Sequence, residues 1–376
     1  MLNARPCKSC EWCRANQHKL DAIPPQNVHI FFFFNLLLPN PLYPLPFCLY
    51  IMFGLIPLLF TALASAYPNR GPCTGDCWAH DPAMIQRVSD GKYFRFSTGT
   101  GVRTHSSPSV KGPWTDIGSA LPDGSKITLD GVDNTNIWAP DVHFQNDQYY
   151  MYYVLSKIGT QNSQIGVATS KNMEPGTWTD HGSVGLPAND NYNRIDPAWI
   201  SIGNKNYMNF GSFWGDIYQV QMETPLKVGG ATPYQISWNA TLNHREEGSY
   251  EFKHGDYYYL LYSAGIAGKY TKTFPAKGAE YHIRVCRSKT GLGDFVDADG
   301  KSCKETGGTM LLSSHGQVFG PGGPGVVHDK DLGVVMYYHY YPLAIKESTT
   351  VSDNANYRYA WNVLGWKDGW PFVKAT

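Results

Sequence analysis

The chain has 376 residues, with 31 basic and 31 acidic side chains and a formal net charge of zero, and only 16% of its residues are charged. With no basic run, this balance excludes the electrostatic footprint of a nucleic-acid binder. Aromatic residues make up 14%, beside 38 Gly and 25 Pro, a composition that favours many short strands and tight turns over helices.

The first 51 residues are unlike the rest. They open with Cys7, Cys10 and Cys13, continue through four phenylalanines at 31–34, and carry prolines at 39, 41, 44 and 46. Those prolines argue against a membrane helix, and the cysteines lack the second ligand pair of a zinc site. Residues 52–66 are an apolar run ending in Ala64-Ser65-Ala66, the small-x-small pattern of a signal-peptide cleavage site. We expect Met52 to be the true start and residues 1–51 to be a gene-model extension or disordered leader. Residues 67–376 then form one secreted, extracellular domain with no membrane segment in the mature form. Cys73, Cys77, Cys286 and Cys303 remain in it. An even count after a leader suggests two disulfides, and proximity favours 73–77 and 286–303 among the three connectivities. Asn239-Ala240-Thr241 is a glycosylation sequon.

From residue 78 onward a pattern repeats. Trp78-Ala79-His80-Asp81-Pro82 precedes a tyrosine-bearing strand expected at 92–97, and Trp138-Ala139-Pro140-Asp141 precedes one at 148–155. Arg194-Ile195-Asp196-Pro197 precedes 205–210, and Glu246-Glu247-Gly248-Ser249 precedes 256–262. An alternating strand ending in Ser and a Gly-aromatic turn follow, as in 165–170 with Gly176-Thr177-Trp178 and 283–288 with Gly293-Asp294-Phe295. A degenerate fifth copy runs from Phe319-Gly320-Pro321-Gly322-Gly323 through 334–341 to 357–364. Steps of 60, 55 and 51 residues between the acids fit four-stranded units. Five such units predict an all-β fold, a five-bladed β-propeller, with most tyrosines in the blade cores.

Equivalent offsets in a repeat bring acids distant in sequence to one axis. An aromatic-rich, weakly charged surface suits neutral sugars, whose C–H faces pack on rings. Glycosidic hydrolysis needs two carboxyl groups in opposite protonation states. Asp81, in a turn beside Pro82, suits a base. Glu247, followed by Gly248, has the reach of an acid, with Glu246 as its flank. Asp196 can raise that acid's pKa through like charge. Asp141 reads as structural. Trp138, Phe213, Trp214 and Arg194 are candidate substrate-binding residues. No set of residues has metal-ligand spacing, and acid–base hydrolysis requires no cofactor.

These motifs, with Val285-Cys286-Arg287-Ser288, 295–300 and 320–323, resemble glycoside hydrolase family 43, and within it the secreted fungal endo-1,5-α-L-arabinanases. The resemblance covers about residues 67–376. It implies Asp81 as general base, Glu247 as general acid and Asp196 as pKa modulator. It also implies inversion of configuration and cleavage within the α-1,5-linked arabinan backbone of plant pectin by a monomer. Where relatives carry a histidine that helps hold a channel metal ion, this chain has Gly323. That leaves a structural Ca²⁺ to water or to His328 and His339. Two alternatives stay open: an exo-acting α-L-arabinofuranosidase or β-xylosidase with the same acids, and a sugar-binding propeller without catalysis.

Overall fold

The computed structural model describes residues 67–375 except 242, 269, 271–273 and 346–352; the expectations for residues 1–66 lie outside that span. Blade one holds β1 (Ala83–Gln86), β2 (Tyr93–Ser97), then the two-residue β3 (Gly99–Thr100), β4 (Arg103–Ser107) and β5 (Thr115–Ser119). Blade two holds β6 (Asn136–Gln145), β7 (Gln148–Ser156), β8 (Ser163–Ser170) and β9 (Thr179–Ser183). Blade three is β10 (Ala198–Ile202), β11 (Lys205–Phe210), β12 (Ile217–Met222) and β13 (Tyr234–Ser237). Blade four is β14 (Glu246–His254), β15 (Tyr257–Ala264), β16 (His282–Ser288) and β17 (Thr309–Leu312). Blade five is β18 (Val318–Asp329), β19 (Gly333–Pro342), β20 (Arg358–Lys367) and β21 (Trp370–Val373). Each blade is an antiparallel meander in chain order, and β3 adds to the edge of blade two against β6. Helix among the described residues amounts to single turns at Cys303–Glu305, Leu343–Ile345 and Asp353–Asn356.

The tyrosine-rich strands are the second strands of their blades, covered on both faces. Along β7, Met151, Tyr153 and Leu155 pack with Phe94 and Phe96 of blade one. Tyr152 and Val154 face the other way, onto Met208 and Phe210 of blade three. Alternation of this kind is the period-2 geometry of a strand. Tyrosine serves better than phenylalanine because its hydroxyl can end the buried ring on a polar partner. Tyr153 Oη donates to Asp180 Oδ1 at 2.6 Å, and Tyr152 Oη to the Pro225 carbonyl at 2.8 Å. Corresponding clusters join blades three and four through Ile236 and Leu260, four and five through Val285 and Met336, and five and one through Met84 and Val335. The ring is therefore closed.

Closure between first and last blades falls to residues 69–78. Gly71 N donates to the Trp361 carbonyl at 2.8 Å, Tyr359 N to that of Cys77 at 2.8 Å, and Asp76 N to that of Trp114 at 2.8 Å. The Cys73–Cys77 disulfide shapes this segment. Under it the buried Arg95 guanidinium lies 4.5 Å from the Trp114 ring and 4.9 Å from the Tyr359 ring, donating to the carbonyls of Asp76 and Trp78 at 2.9 Å each. Both expected disulfides are present.

Two features depart from what the bare motifs suggest. The Gly293-Asp294-Phe295 turn does not lead into the outer strand of its blade. Val296 makes only isolated bridges to Arg287 and Ser302, and the outer strand is β17, reached after a detour stapled by Cys286–Cys303. The sequon at Asn239 is also not a surface site. Asn239 is fully buried, its Nδ2 donating to Glu246 Oε1 at 2.9 Å and its Oδ1 accepting from Thr241 N at 2.9 Å. A glycan there would have to displace both contacts. Peptide mass spectrometry of folded protein from a glycosylating host is expected to recover Asn239 unmodified, and a glycan on active material would contradict the packing.

Candidate active site

Each blade reaches the axis through a left-handed backbone corner at or near the start of its innermost strand. The corners are Asp81 (φ 45°), Ala139 (φ 22°), Asp196 (φ 54°), Gly248 (φ 58°) and Gly323 (φ 58°). Proline follows in four of the five. Left-handed φ is rare outside glycine, with Asp and Asn the tolerated exceptions, so two corners that are aspartates reflect a constraint held by the surroundings. The acids are thus not strictly equivalent. Asp81 and Asp196 occupy the corner itself, Glu247 sits one residue before it, and Asp141 two residues after it.

That offset decides what each acid does. Asp141 is buried in β6, its Oδ2 accepting from Trp199 N at 2.8 Å and lying 2.7 Å from His143 Nε2. It ties blade two to blade three, as its structural reading requires. Glu246 and Glu247 are neighbours along β14 and point to opposite sides. Glu246 turns inward to Ser237 Oγ and Asn239 Nδ2, at 2.7 and 2.9 Å, while Glu247 lines the cleft.

Asp81 is prepared to be ionised. Its Oδ2 accepts from Thr98 Oγ1 at 2.8 Å, and that hydroxyl oxygen accepts from Ala139 N at 2.8 Å, so its proton is directed at the carboxylate. Asp81 N donates to His339 Nδ1 at 3.1 Å, which leaves the ring proton on Nε2. Burial would raise the Asp81 pKa, but His80, His339 and the Thr98 hydrogen bond outweigh it and hold the group below the ordinary value. Because burial pushes His339 down to about 3, this ring acts near neutral pH as an uncharged acceptor. The Thr98 hydroxyl and His80 then remain to favour the charged form.

Glu247 and Asp196 are displaced the other way. Burial raises Glu247, with Asp81 adding to it, against the hydrogen bonds from Ser212 Oγ to Oε2 at 2.5 Å and from Tyr281 Oη to Oε1 at 3.0 Å. Burial, then the charges of Glu247 and Asp81, push Asp196 well above its ordinary value. Among the described residues it accepts a hydrogen bond only from Gly248 N, at 3.0 Å. Both carboxyls are thus displaced toward their protonated forms, Asp196 the further of the two. Between Asp81 and this pair runs Gly323 of β18. A Cβ there would lie 2.9 Å from His339 Nδ1 and 3.4 Å from Asp81 Cα, so the position has no room for a side chain. A Cβ on Gly248 would come 3.7 Å from Gly323 Cα. One strand therefore separates the backbones that carry Asp81 and Glu247.

The three acids line a cleft of about 890 Å³, together with Trp138, Phe213 and Trp214. Arg194 is not in it. Its guanidinium Nη1 donates to the Leu186 carbonyl at 3.4 Å, and the side chain borders a separate surface pocket with Gln161 and Asp190, because it precedes the corner and points off the axis. His328 and His339 do not meet either. His328 pairs with Val334 and His339 with Gly322, which puts them about 20 Å apart along the strands. Instead His80, Asp81 and His339 bring one ligand atom each within 4.8 Å of one another, and buried His80 Nδ1 has no hydrogen-bond partner. Two imidazoles and one carboxylate are donors that suit a transition metal better than an oxygen-seeking Ca²⁺. Thr98, Ser212 and Tyr281 were not legible as site residues, and His339 was legible only as a possible Ca²⁺ ligand. None lies in an acid motif, and only the folded chain brings them to the acids.

The family model described as Glycosyl hydrolases family 43 matches residues 77–371, and the chain belongs to that family. It is 53% identical over 319 residues to a probable arabinan endo-1,5-alpha-L-arabinosidase C of Aspergillus terreus, covering 84% of this chain and 98% of the relative. Among solved structures it resembles a GH43 endo-arabinanase from Bacillus licheniformis, with a TM-score of 0.69 at 27% identity over 80% of this chain and 99% of the other. An exo-1,5-alpha-L-arabinanase from a bovine ruminal metagenomic library gives a TM-score of 0.69 at 28% identity, with the same coverage.

Thr98→Val removes the hydrogen bond that favours ionised Asp81 while keeping the side chain's shape. The pKa of Asp81 should rise, so the acidic limb of the kcat/KM profile should move to higher pH by about one unit, as loss of one charge-assisted hydrogen bond allows. An unmoved limb with normal folding would show that Thr98 does not tune Asp81.

Proposed function

Membership of glycosyl hydrolases family 43 is the premise from which we propose that the chain cleaves α-1,5-linked L-arabinan of plant pectin internally, with inversion at the anomeric carbon. The observation that carries this reading is the division of three carboxyls in one cleft, with Asp81 held below its ordinary pKa and Glu247 and Asp196 above theirs. Asp81, ionised, takes a proton from water. The water oxygen bonds to C1 of the arabinosyl unit from the face opposite the leaving group. The bond from C1 to the bridging oxygen breaks, and Glu247 delivers its proton to that oxygen. Asp81 ends protonated and Glu247 ionised, and exchange with solvent restores both.

Inversion needs a gap of about 6.5–9.5 Å between the two carboxyls to admit water, and the strand between the corners of Asp81 and Glu247 supports a gap of that order. Asp196, bonded to the Gly248 amide beside Glu247, is assigned to keeping the acid proton available at Glu247. A cation held by His80, Asp81 and His339 would supply positive charge beside the carboxyls, and this proton transfer does not require it. Trp138, Phe213 and Trp214 are the proposed sugar platforms. The fold resembles an endo- and an exo-acting enzyme equally, so the endo assignment rests on the Aspergillus terreus relative. Secretion is part of the same proposal, and the two disulfides support it.

Leaving-group chemistry separates the roles. Glu247→Ala should lower kcat on linear arabinan about 10²–10⁴-fold, yet largely spare an aryl arabinoside whose phenolate leaves without a proton. Asp81→Ala should abolish both activities. Equal losses on the two substrates for Glu247→Ala would remove it as general acid. Asp196→Asn removes the second raised carboxyl on the Glu247 side of the cleft, and if the two share the acid proton the alkaline limb of the pH–rate profile should fall by on the order of one unit. Lost rate with an unmoved limb would make Asp196 a positioning group instead.

A further inference from the structure

Behind Glu247, between blades three and four, lies a second acid–histidine pair that the chemistry above does not use. Asp216 is fully buried. Its Oδ2 accepts from Asn239 N at 2.8 Å and lies 3.8 Å from His244 Nδ1. Asp216 Oδ1 and His244 Nδ1 are both buried without a hydrogen-bond partner. The His244 side chain is nevertheless 37% exposed and lines the cleft. One ring nitrogen thus faces a buried carboxyl, and the exposed part of the ring faces the space where the polysaccharide is proposed to lie. The ring is backed by Trp238, with centroids 5.1 Å apart.

The surroundings mark this as a built feature. Asn243, His244, Phe213, Trp214 and Asp216 all have positive φ, between 44° and 58°, and such strain persists only where neighbours enforce it. Asp216 closes the turn that carries Phe213 and Trp214, with its N donating to the Phe213 carbonyl at 2.5 Å. The same turn supplies Ser212 to Glu247. The Asp216 backbone therefore closes the turn that carries an aromatic platform and a hydrogen-bond donor to the proposed acid, while its carboxyl holds Asn239 N and faces His244.

We propose that His244 is a substrate-binding residue, its Nε2 hydrogen-bonding a sugar hydroxyl in the cleft, and that Asp216 is the positioning residue that fixes the ring through Nδ1. This rests on the arabinan reading of the site. Burial, then the charge of Glu246, pushes Asp216 up to about 8, so in the acidic range its carboxyl keeps a proton to offer Nδ1. The Nε2–H then becomes a donor toward the cleft. The 3.8 Å separation is long for a hydrogen bond, as is common before substrate tightens a site.

The test is steady-state kinetics on linear α-1,5-arabinan. His244→Ala should raise KM about 3- to 10-fold, the worth of one hydrogen bond, with a much smaller change in kcat and little change in Tm. Asp216→Asn keeps the side chain's shape, but at the position of Oδ2 its amide cannot both accept from Asn239 N and donate to Nδ1, so its KM should rise toward that of His244→Ala. Asp216→Ala should match His244→Ala, and the double variant should add nothing further, because the two act as one unit. If Asp216→Ala fails to fold, the His244→Ala result decides. An unchanged KM for His244→Ala in an enzyme that cleaves arabinan would overturn the inference alone. A wild-type protein inactive on arabinan would overturn the substrate reading and this inference with it.

Discussion

The arrangement of the whole site depends on the left-handed corner through which each blade meets the axis. A strand that entered smoothly would direct successive side chains into the neighbouring blades, as β7 does with Met151 and Tyr152. The corner interrupts that alternation at the inner end and frees one side chain, or one backbone edge, toward the cleft. Where the corner residue is aspartate, the carboxyl itself is presented. Where it is glycine, the backbone becomes the asset: Gly248 N holds Asp196, and Gly323 leaves room for the acids on either side. An aspartate forced to positive φ costs on the order of 1–3 kcal/mol, and the closed ring of packed blades offsets it.

Protonation follows from the same geometry. Carboxyls drawn to one axis are buried and repel one another, so their pKa values rise unless something opposes it. Asp81 alone is opposed strongly enough, by His80 and the Thr98 hydroxyl on the side where blade one meets its neighbours. On the side of blades three and four the acids have weaker support, and Asp196, Glu247, Glu246 and Asp216 are all raised. The cleft is thereby divided into an ionised half and a proton-holding half, which is what an acid and a base facing one bond require.

Much of this was legible in the sequence. The repeat spacing yielded the number of blades, and the Asp-Pro and Glu-Gly steps picked out Asp81, Asp196 and Glu247, all of which meet in one cleft. The motifs did not carry the offset of each acid from its corner, so Asp141 could be read as structural without its place, inside a strand between blades, being known. Arg194 looked like a site residue because it adjoins Asp196, yet at a sharp corner a step of two residues reverses the side chain. The sequon at Asn239 matched a pattern that says nothing of burial. Ser212, Tyr281 and Thr98 were invisible for a different reason, and His339 was picked out only as a possible Ca²⁺ ligand: their importance lies in contacts between residues far apart in sequence, such as Tyr281 to Glu247 across 34 residues and Asp81 to His339 across 258.

The central claim is that Asp81 and Glu247 act on opposite faces of one glycosidic bond with a water molecule between them. Proton NMR of linear α-1,5-arabino-oligosaccharide hydrolysis, recorded before the product mutarotates, reads that arrangement directly. The account predicts that the β-anomer appears first and the α-anomer grows in later. An α-anomer formed first would mean a double displacement with the carboxyls close together, and would contradict the assignment of Asp81 as a base acting through water.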